Sequence, residues 1–205
     1  KSVSILKSTL LALLLVVTLP LNAQQATTPD SRLDWFRDAR LGIFVHWGIY
    51  AVNGIDESWS FHNGRISHED YMKQIKGFTA SKYDPQAWAA LFNEAGARYA
   101  VLTSKHHDGV ALWPSRCKGA ITMVKDAPAK RDLIGPYMQA MRDKGIKAGL
   151  YYSLIDWTYP DYDQFLRDKP RYKDDPERFA RFTDYNFCQL NEVSQTYRPD
   201  LVWFD

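Results

Sequence analysis

The sequence predicts an α/β fold, a (β/α)8 TIM-like barrel of which about the first four βα units are present. Short apolar segments alternate with capped helical segments along the chain, a pattern typical of parallel sheets. Polar and ionisable residues follow each apolar segment, where a barrel places its functional face. No G-x-G-x-x-G pattern follows the first segment, which disfavours a dinucleotide-binding fold.

The first predicted strand is 41–47, LGIFVHW, because it is a short apolar run rich in β-forming residues. A helix begins at Asp84-Pro85, with Asp as the N-cap and Pro as the first helical residue. Gly96 ends this helix. Its predicted apolar face consists of Trp88, Leu91, Phe92 and Ala95.

The next two units repeat the pattern. Residues 99–103 form the second predicted strand, and Asp132 caps a helix that ends at Gly145. Residues 146–153 form the third predicted strand. The predicted apolar positions of the helix are Ile134, Tyr137, Met138 and Met141.

The fourth unit completes the visible pattern. Asp174-Asp175-Pro176 begins a long helix that reaches about Val193, and residues 201–204 form the fourth predicted strand. Four strands make about half of an eight-stranded barrel, and a half barrel leaves an unpaired sheet edge. We therefore expect a fragment of a longer protein, one that folds poorly alone. The start at Lys1 and the end at Asp205, directly after a strand, favour the same interpretation.

Residues 1–23 are predicted to be a signal peptide. Lys1 and Lys7 precede an apolar run, 10–21, and a plausible cleavage point follows Ala23. The run is shorter than the roughly 20 residues of a membrane span, so we expect no stable membrane insertion after cleavage. An uncleaved N-terminal anchor is the alternative. Residues 24–34 are then a linker, residues 35–205 the first half of the barrel, and the protein is exported, either periplasmic or secreted.

The amino-acid composition favours some classes of binding partner and disfavours others. The 205 residues carry a formal charge of +2, which argues against a nucleic-acid partner. Seven Trp, twelve Tyr and ten Phe predict a large aromatic core, together with some rings available to the apolar faces of sugars. Cys117 and Cys188 lack metal-ligand spacing; export would permit a disulfide, but we expect buried free thiols.

The residues at the predicted strand ends are the candidates for chemistry. His46 ends the first strand, His106 and His107 follow the second, and Asp205 follows the fourth. A carboxylate after a buried strand is costly unless it is paired or functional, although capping of a following helix is the alternative. Metal binding is a rival interpretation, but the first strand offers a single histidine. Neutral imidazoles also suit hydrogen bonds to sugar hydroxyls.

The combination of motifs is more specific than its parts. The chain resembles family 29 glycoside hydrolases, the α-L-fucosidases, over nearly all of residues 35–205. Matching segments occur in the family's order. They are 35–48 (WFRDARLGIFVHWG), 57–61 (ESWSF), 103–109 (TSKHHDG) with Leu112-Trp113, 130–133 (KRDL), 149–153 (GLYYS) and 202–205 (VWFD).

The resemblance implies a retaining α-L-fucosidase that removes terminal fucosyl residues by double displacement. Asp205 matches the nucleophile. The substrate-binding residues that the resemblance implies are His46, Trp59, His106, His107, Tyr151 and Trp203. Tyr152 is expected to point away into packing. Many members carry a Glu directly before the tryptophan matched by Trp59, whereas Ser58 intervenes here and leaves the role of Glu57 open.

The resemblance also places the acid/base beyond the nucleophile, so this chain lacks it and is predicted to be inactive alone. Asp108, Asp156 and Glu57 are not supported as substitutes. The expected partner is a fucosylated oligosaccharide or glycoconjugate, with no cofactor and no metal, and the oligomeric state stays undetermined. A metal-dependent TIM-barrel hydrolase and a non-catalytic carbohydrate-binding barrel are the alternative functions.

Overall fold

The structure is a computed structural model that describes residues 31–162 and 175–205. The predicted signal peptide and most of the predicted linker lie outside these residues. The chain divides into two compact units, 1–35 and 36–205. Of the first unit, the described part contains a 3-10 turn, Ser31–Leu33, and the start of helix α1, Asp34–Ala39.

The second unit alternates strands and helices. The strands are β1 (Gly42–Val45), β2 (Tyr99–Lys105), β3 (Val110–Ala111), β4 (Ile121–Thr122), β5 (Lys147–Tyr152) and β6 (Leu201–Phe204). The helices that follow α1 are α2 (Trp59–His62), α3 (His68–Met72), α4 (Pro85–Glu94), α5 (Ile134–Asp143) and α6 (Pro176–Tyr197). Two 3-10 turns, Ile49–Ala51 and Lys73–Gly77, lie between β1 and α4.

Four strands form one parallel sheet in the order β1-β2-β5-β6, which is also their order along the chain. The register aligns Phe44 with Val101, Thr103 with Tyr151, and Tyr151 with Trp203. This arrangement confirms the predicted parallel α/β architecture. The strands β3 and β4 form a separate two-stranded parallel sheet that the sequence patterns did not predict.

The predicted helix starts are confirmed by their capping bonds. The Asp84 carboxylate accepts a hydrogen bond from the Ala87 N–H at 2.9 Å, and Asp175 accepts from the Arg178 N–H at 2.8 Å. Asp132 accepts from the N–H groups of Ile134 at 2.9 Å and of Gly135 at 3.2 Å. Each carboxylate satisfies amide groups that the first helical turn leaves unpaired.

One hydrophobic core contains buried residues of the sheet and of α4, α5 and α6. The predicted apolar positions of α5 are all buried. On α4 the prediction was wrong for Leu91, which is 61% exposed, and for Ala95. The buried stripe of α4 runs instead through Ala89 and Phe92. Within the described residues, no helix combines the length and the apolar character that crossing a bilayer requires.

The expectation of free thiols was wrong, because Cys117 and Cys188 form a disulfide with a Cα–Cα distance of 6.0 Å. Cys117 lies in the loop between β3 and β4, and Cys188 lies on α6. The two residues are separated by 71 positions, so only the packing of α6 against this loop brings the sulfurs together. Sequence spacing carries no signal for such a pair.

Candidate active site

The carboxyl ends of the four main strands converge at one edge of the sheet. His46 directly follows β1, His106 and His107 follow β2, Tyr151 lies near the end of β5, and Asp205 follows β6. Parallel strands in sequential order bring these positions to the same side. The sheet therefore gathers side chains that lie about 50 residues apart along the sequence.

The carboxylate of Asp205 is held by a tyrosine. The Tyr151 hydroxyl donates a hydrogen bond to Asp205 Oδ2 at 2.8 Å, and His107 Nε2 lies 3.8 Å from the same oxygen. The Asp205 side chain is 57% exposed, whereas Tyr151 and His107 are buried behind it. The Asp205 carboxylate is therefore accessible to a ligand on one side and contacts the side chains of Tyr151 and His107 on the other.

The three predicted histidines form a group with Tyr151. The ring of His106 stacks on Tyr151 with centroids 5.5 Å apart, and it meets His46 at 5.4 Å and His107 at 4.3 Å. His46 is exposed at the edge of the group, whereas His106 is buried. Asp205 and all three imidazoles therefore belong to one contiguous cluster.

Each buried histidine is anchored by a serine hydroxyl. Ser58 Oγ lies 2.5 Å from His106 Nδ1, and Ser153 Oγ lies 2.5 Å from His107 Nδ1. Both serines are fully buried. Sequence reasoning gave neither serine a role, although Ser58 was recognised as a departure from the family pattern and Ser153 as part of a matching segment. Their partners depend on how the strand ends pack, which a single sequence does not reveal.

Burial makes both anchored imidazoles neutral at ordinary pH. It lowers the pKa of His106 to about 2, and the neighbouring His107 and His46 lower it further. Burial also lowers the pKa of His107 to about 4, against the opposing effect of the Asp205 carboxylate. His107 and Asp205 are therefore not an ion pair near neutral pH, despite the 3.8 Å between them.

Aromatic rings form the walls around Asp205. Trp203 is 47% exposed and meets Phe44 edge-on at 5.6 Å, and Phe44 meets Tyr151 at 5.9 Å. Trp59, also exposed, lies 5.9 Å from the ring of His107. The structure thus places both predicted tryptophans beside the cluster. Phe44 is an additional wall residue that the sequence analysis missed, although it lies two positions before His46 on the same face of β1.

The backbone around β2 is arranged to present its two histidines. The strand register shifts between Thr103 and Lys105, an irregularity of the kind often found beside active sites. The Trp47 N–H donates to Thr103 Oγ1 at 2.9 Å, and that hydroxyl donates to the Trp47 carbonyl at 2.8 Å, which ties the end of β1 to β2. Gly109 ends the turn with φ of 77°, and any Cβ there would collide with the Asp156 carboxylate.

Two further carboxylates near the cluster, those of Asp108 and Asp156, are buried and have partners within the protein. Asp108 is buried and accepts hydrogen bonds from the Tyr71 hydroxyl at 2.8 Å and from the Val110 N–H at 3.0 Å. Asp156 is also buried, and one of its oxygens lies 3.5 Å from the buried Lys105 ammonium. Burial raises the pKa of Asp108 to about 6. Both carboxylates are buried, whereas that of Asp205 is exposed.

Tyr152 points away from the cluster, as expected. Its buried hydroxyl lies 2.8 Å from Asn186 Oδ1 and 2.9 Å from Gln189 Oε1, both on α6, and it donates its single proton to one of these oxygens. Neighbouring residues of a strand face opposite sides of the sheet, so Tyr151 faces the site while Tyr152 connects the sheet to a helix.

Among the described residues, one group of three side chains has donor atoms close enough for a metal ion: Cys117, Cys188 and Glu192. The two sulfurs are bonded to each other, so they are not available as thiolate ligands. The site histidines do not belong to such a group.

An exposed carboxylate, neutral imidazoles and aromatic walls at the carboxyl ends of a parallel (β/α) sheet define a class of protein, the barrel glycoside hydrolases. A comparison with known families gives the particular one. The sequence profile described as Alpha-L-fucosidase matches residues 21–205. The chain belongs to the alpha-L-fucosidase family.

Similar proteins agree with this membership. The tissue alpha-L-fucosidase of Homo sapiens is 34% identical over 186 residues, which are 83% of this chain and 38% of the human protein. The alpha-L-fucosidase of Branchiostoma floridae is 34% identical over 188 residues, 83% of this chain and 40% of that protein. The chain thus spans about two fifths of the length of the curated relatives it matches.

Solved structures confirm the fold. Alpha-L-fucosidase isoenzyme 1 from Paenibacillus thiaminolyticus superposes with a TM-score of 0.75 at 40% identity, covering 85% of this chain and 42% of that one. A GH29 alpha-L-fucosidase from Bacteroides thetaiotaomicron, solved as a trapped covalent intermediate with 2-fluoro-fucosyl fluoride, has a TM-score of 0.75 at 33% identity. It covers 87% of this chain and 42% of that one. The four strands and the helices that connect them are therefore the N-terminal part of the GH29 catalytic barrel.

Proposed function

We propose that the full-length protein is a retaining α-L-fucosidase that hydrolyses terminal α-L-fucosyl residues of oligosaccharides or glycoconjugates. The observation that carries this proposal is the exposed Asp205 carboxylate, held at 2.8 Å by the Tyr151 hydroxyl beside two neutral, serine-anchored imidazoles. A negative carboxylate among neutral hydrogen-bonding groups suits a nucleophile that attacks a polyhydroxylated sugar. Family membership supports the substrate.

In the first step an Asp205 oxygen bonds to the anomeric carbon of fucose while the glycosidic C–O bond breaks. A second carboxylic acid protonates the leaving oxygen, and in retaining enzymes it lies about 5–5.5 Å from the nucleophile. In the second step water, deprotonated by that same group, replaces Asp205 at the anomeric carbon. Both steps invert the carbon, so the product retains the configuration of the substrate.

The imidazoles and aromatic rings hold the sugar. We assign His46, His106 and His107 to the fucose hydroxyls, because imidazole nitrogens can donate or accept hydrogen bonds. Trp59 and Trp203 provide apolar walls, and Trp203 with Phe44 suits the C6 methyl group that distinguishes fucose from most other sugars. Tyr151 orients the Asp205 carboxylate.

The test replaces the nucleophile and a matched aspartate in the full-length protein. Asp205→Asn keeps the shape of the side chain but removes the nucleophilic oxygen. We expect kcat on an aryl α-L-fucoside to fall by at least about 10³-fold. Asp200→Asn is the control, because Asp200 precedes β6 at the opposite end of the strand and pairs with Lys147 at 2.9 Å. It should leave kcat within about twofold.

Three results would contradict the proposal. Unchanged turnover in Asp205→Asn would remove Asp205 as nucleophile. Fucoside binding without any turnover by the wild-type full-length protein would favour the non-catalytic carbohydrate-binding alternative. Loss of turnover on chelation, restored by a divalent metal, would favour the metal-dependent hydrolase.

We also propose that the protein is exported, to the periplasm or the medium, after cleavage near Ala23. The apolar run of the predicted signal peptide supports this, and so does the Cys117–Cys188 disulfide, since disulfides persist mainly in oxidising compartments. Cell fractionation followed by N-terminal sequencing of the mature protein tests it. Recovery of uncleaved protein in the cytoplasm would overturn it.

A further inference from the structure

The anchoring of His107 by Ser153 carries an inference that deepens the proposed function and rests on it. The Ser153 hydroxyl makes hydrogen-bond contacts with His107 Nδ1 at 2.5 Å, the Ile155 carbonyl at 2.7 Å and the Ile155 N–H at 3.1 Å, and it also interacts with the Tyr151 hydroxyl, whose own proton goes to Asp205. Both Ser153 and His107 are buried, so water does not substitute for these partners.

The proton count of the serine fixes the direction of each bond. A hydroxyl has one proton to donate and two lone pairs to accept with. The Ile155 carbonyl only accepts, so the Ser153 proton lies between the two oxygens. The Ile155 N–H and His107 Nδ1 must then both donate to Ser153. The reverse arrangement would place lone pairs of the two oxygens against each other at 2.7 Å and would leave the half-buried Ile155 carbonyl without this donor.

His107 is therefore protonated on Nδ1, and its other nitrogen carries a lone pair. That nitrogen, Nε2, lies 3.8 Å from Asp205 Oδ2, which is also an acceptor. Two acceptors at this separation do not bond to each other, but a hydroxyl group placed beside them can donate to one of them. Tyr151 already supplies a donor to the Asp205 oxygen.

We propose that Ser153 is a positioning residue that fixes the tautomer of His107, so that Nε2 accepts a hydrogen bond from one fucose hydroxyl instead of donating a hydrogen bond to Asp205. The lone pairs of the Asp205 carboxylate are then not engaged by His107 and stay available for attack. The second pair, His106 and Ser58, has the same 2.5 Å separation. Within the described residues, Ser58 Oγ has no carbonyl partner that would set the direction of its bond.

Neutron diffraction from crystals of the full-length protein tests the tautomer directly, because it locates the deuteron on each ring. We expect the deuteron of His107 on Nδ1 in the wild type. In Ser153→Ala the anchor is lost, and we expect Nε2 to be deuterated instead, facing Asp205. Ser58→Ala is the matched control, since it removes the anchor of the neighbouring ring and should leave the deuteron of His107 in place. A wild-type deuteron on Nε2 would overturn the proposal, whatever the variants do.

The kinetics of Ser153→Ala on deoxygenated substrates distinguish a positioning role of Ser153 from a general structural role. Ser153→Ala should lower kcat/KM on an aryl α-L-fucoside by about three- to tenfold, the value of one hydrogen bond. The loss should shrink to less than about twofold on the mono-deoxy analogue that lacks the hydroxyl recognised by His107. An equal loss on every analogue would overturn the positioning role. If the wild type hydrolyses no fucoside at all, the proposed function fails, while the deuteron position still decides the tautomer.

Discussion

At the scale of single residues, the neutral imidazole of His107 makes the stability of the folded protein depend on pH. The folded-state pKa of His107, about 4, lies below the ordinary value of 6.5 because the ring is buried. Between these values the unfolded chain binds more protons than the folded one. The contribution of His107 to the free energy of unfolding is therefore complete above pH 6.5 and is lost as the pH falls towards 4. The loss is about 1.4 kcal/mol per pH unit and about 3 kcal/mol in all.

Asp108 acts in the opposite direction. Burial raises its pKa from 3.8 to about 6, so its contribution is present below pH 3.8 and is lost as the pH rises through 6. The two effects partly cancel between pH 4 and 6, and a single pH profile does not separate them. A comparison of variants does.

We predict that His107→Asn flattens the loss of stability between pH 6.5 and pH 4.5 relative to the wild type. The variant removes a group whose protonation opposes folding. The difference in the free energy of unfolding between the wild type and the variant should therefore narrow by about 2 kcal/mol between pH 6.5 and pH 4.5. Urea unfolding followed by tryptophan fluorescence at several pH values measures it. Parallel curves for the two proteins would show that His107 does not couple to folding.

At the scale of elements, the disulfide joins the loop between β3 and β4 to helix α6. We predict that the double variant Cys117→Ala/Cys188→Ala loses about 4 kcal/mol of stability, because the cross-link closes a loop of 71 residues in the unfolded chain. The urea midpoint should fall accordingly. Reductant should lower the wild-type midpoint to that of the variant and leave the variant unchanged. A wild type whose reduced thiols are confirmed by titration, but whose midpoint does not move, would contradict this.

Helix starts and strand positions could be predicted because their signals are local. Asp84, Asp132 and Asp175 cap amides within three residues of themselves, so each signal is visible in a short window. The fourth predicted strand matches β6 residue for residue, whereas β2 continues two residues beyond its prediction, to Lys105.

The elements and contacts that the sequence did not reveal depend on residues far apart. Helices α2 and α3 are four and five residues long, and such short helices are held by tertiary packing, which leaves little periodicity to detect. The disulfide and the two serine anchors join positions separated by 46 to 71 residues. Similarly, the membership of Asp205, Tyr151 and the histidines in one cluster could be anticipated from the strand-end rule, but their anchoring bonds could not.

At the scale of the whole molecule, β1 and β6 are the edges of the described sheet, and aromatic rings are exposed beside them. We predict that residues 24–205 produced alone release no fucose from an aryl α-L-fucoside, whereas the full-length protein does. Two further carboxylates of this region, Asp108 and Asp156, are engaged in internal contacts, so we do not expect either to act as the acid that the proposed mechanism requires. Release of fucose by the isolated segment, abolished by Asp205→Asn, would contradict this.

The strands lie in the sheet in the order in which they occur along the chain, so they are also synthesised in that order. Among the cluster residues described above, Asp205 is the last to be synthesised, after both cysteines. In an oxidising compartment the sulfurs can join while the growing chain still lacks its fourth strand. The nascent chain can therefore form its disulfide before it contains the Asp205 carboxylate.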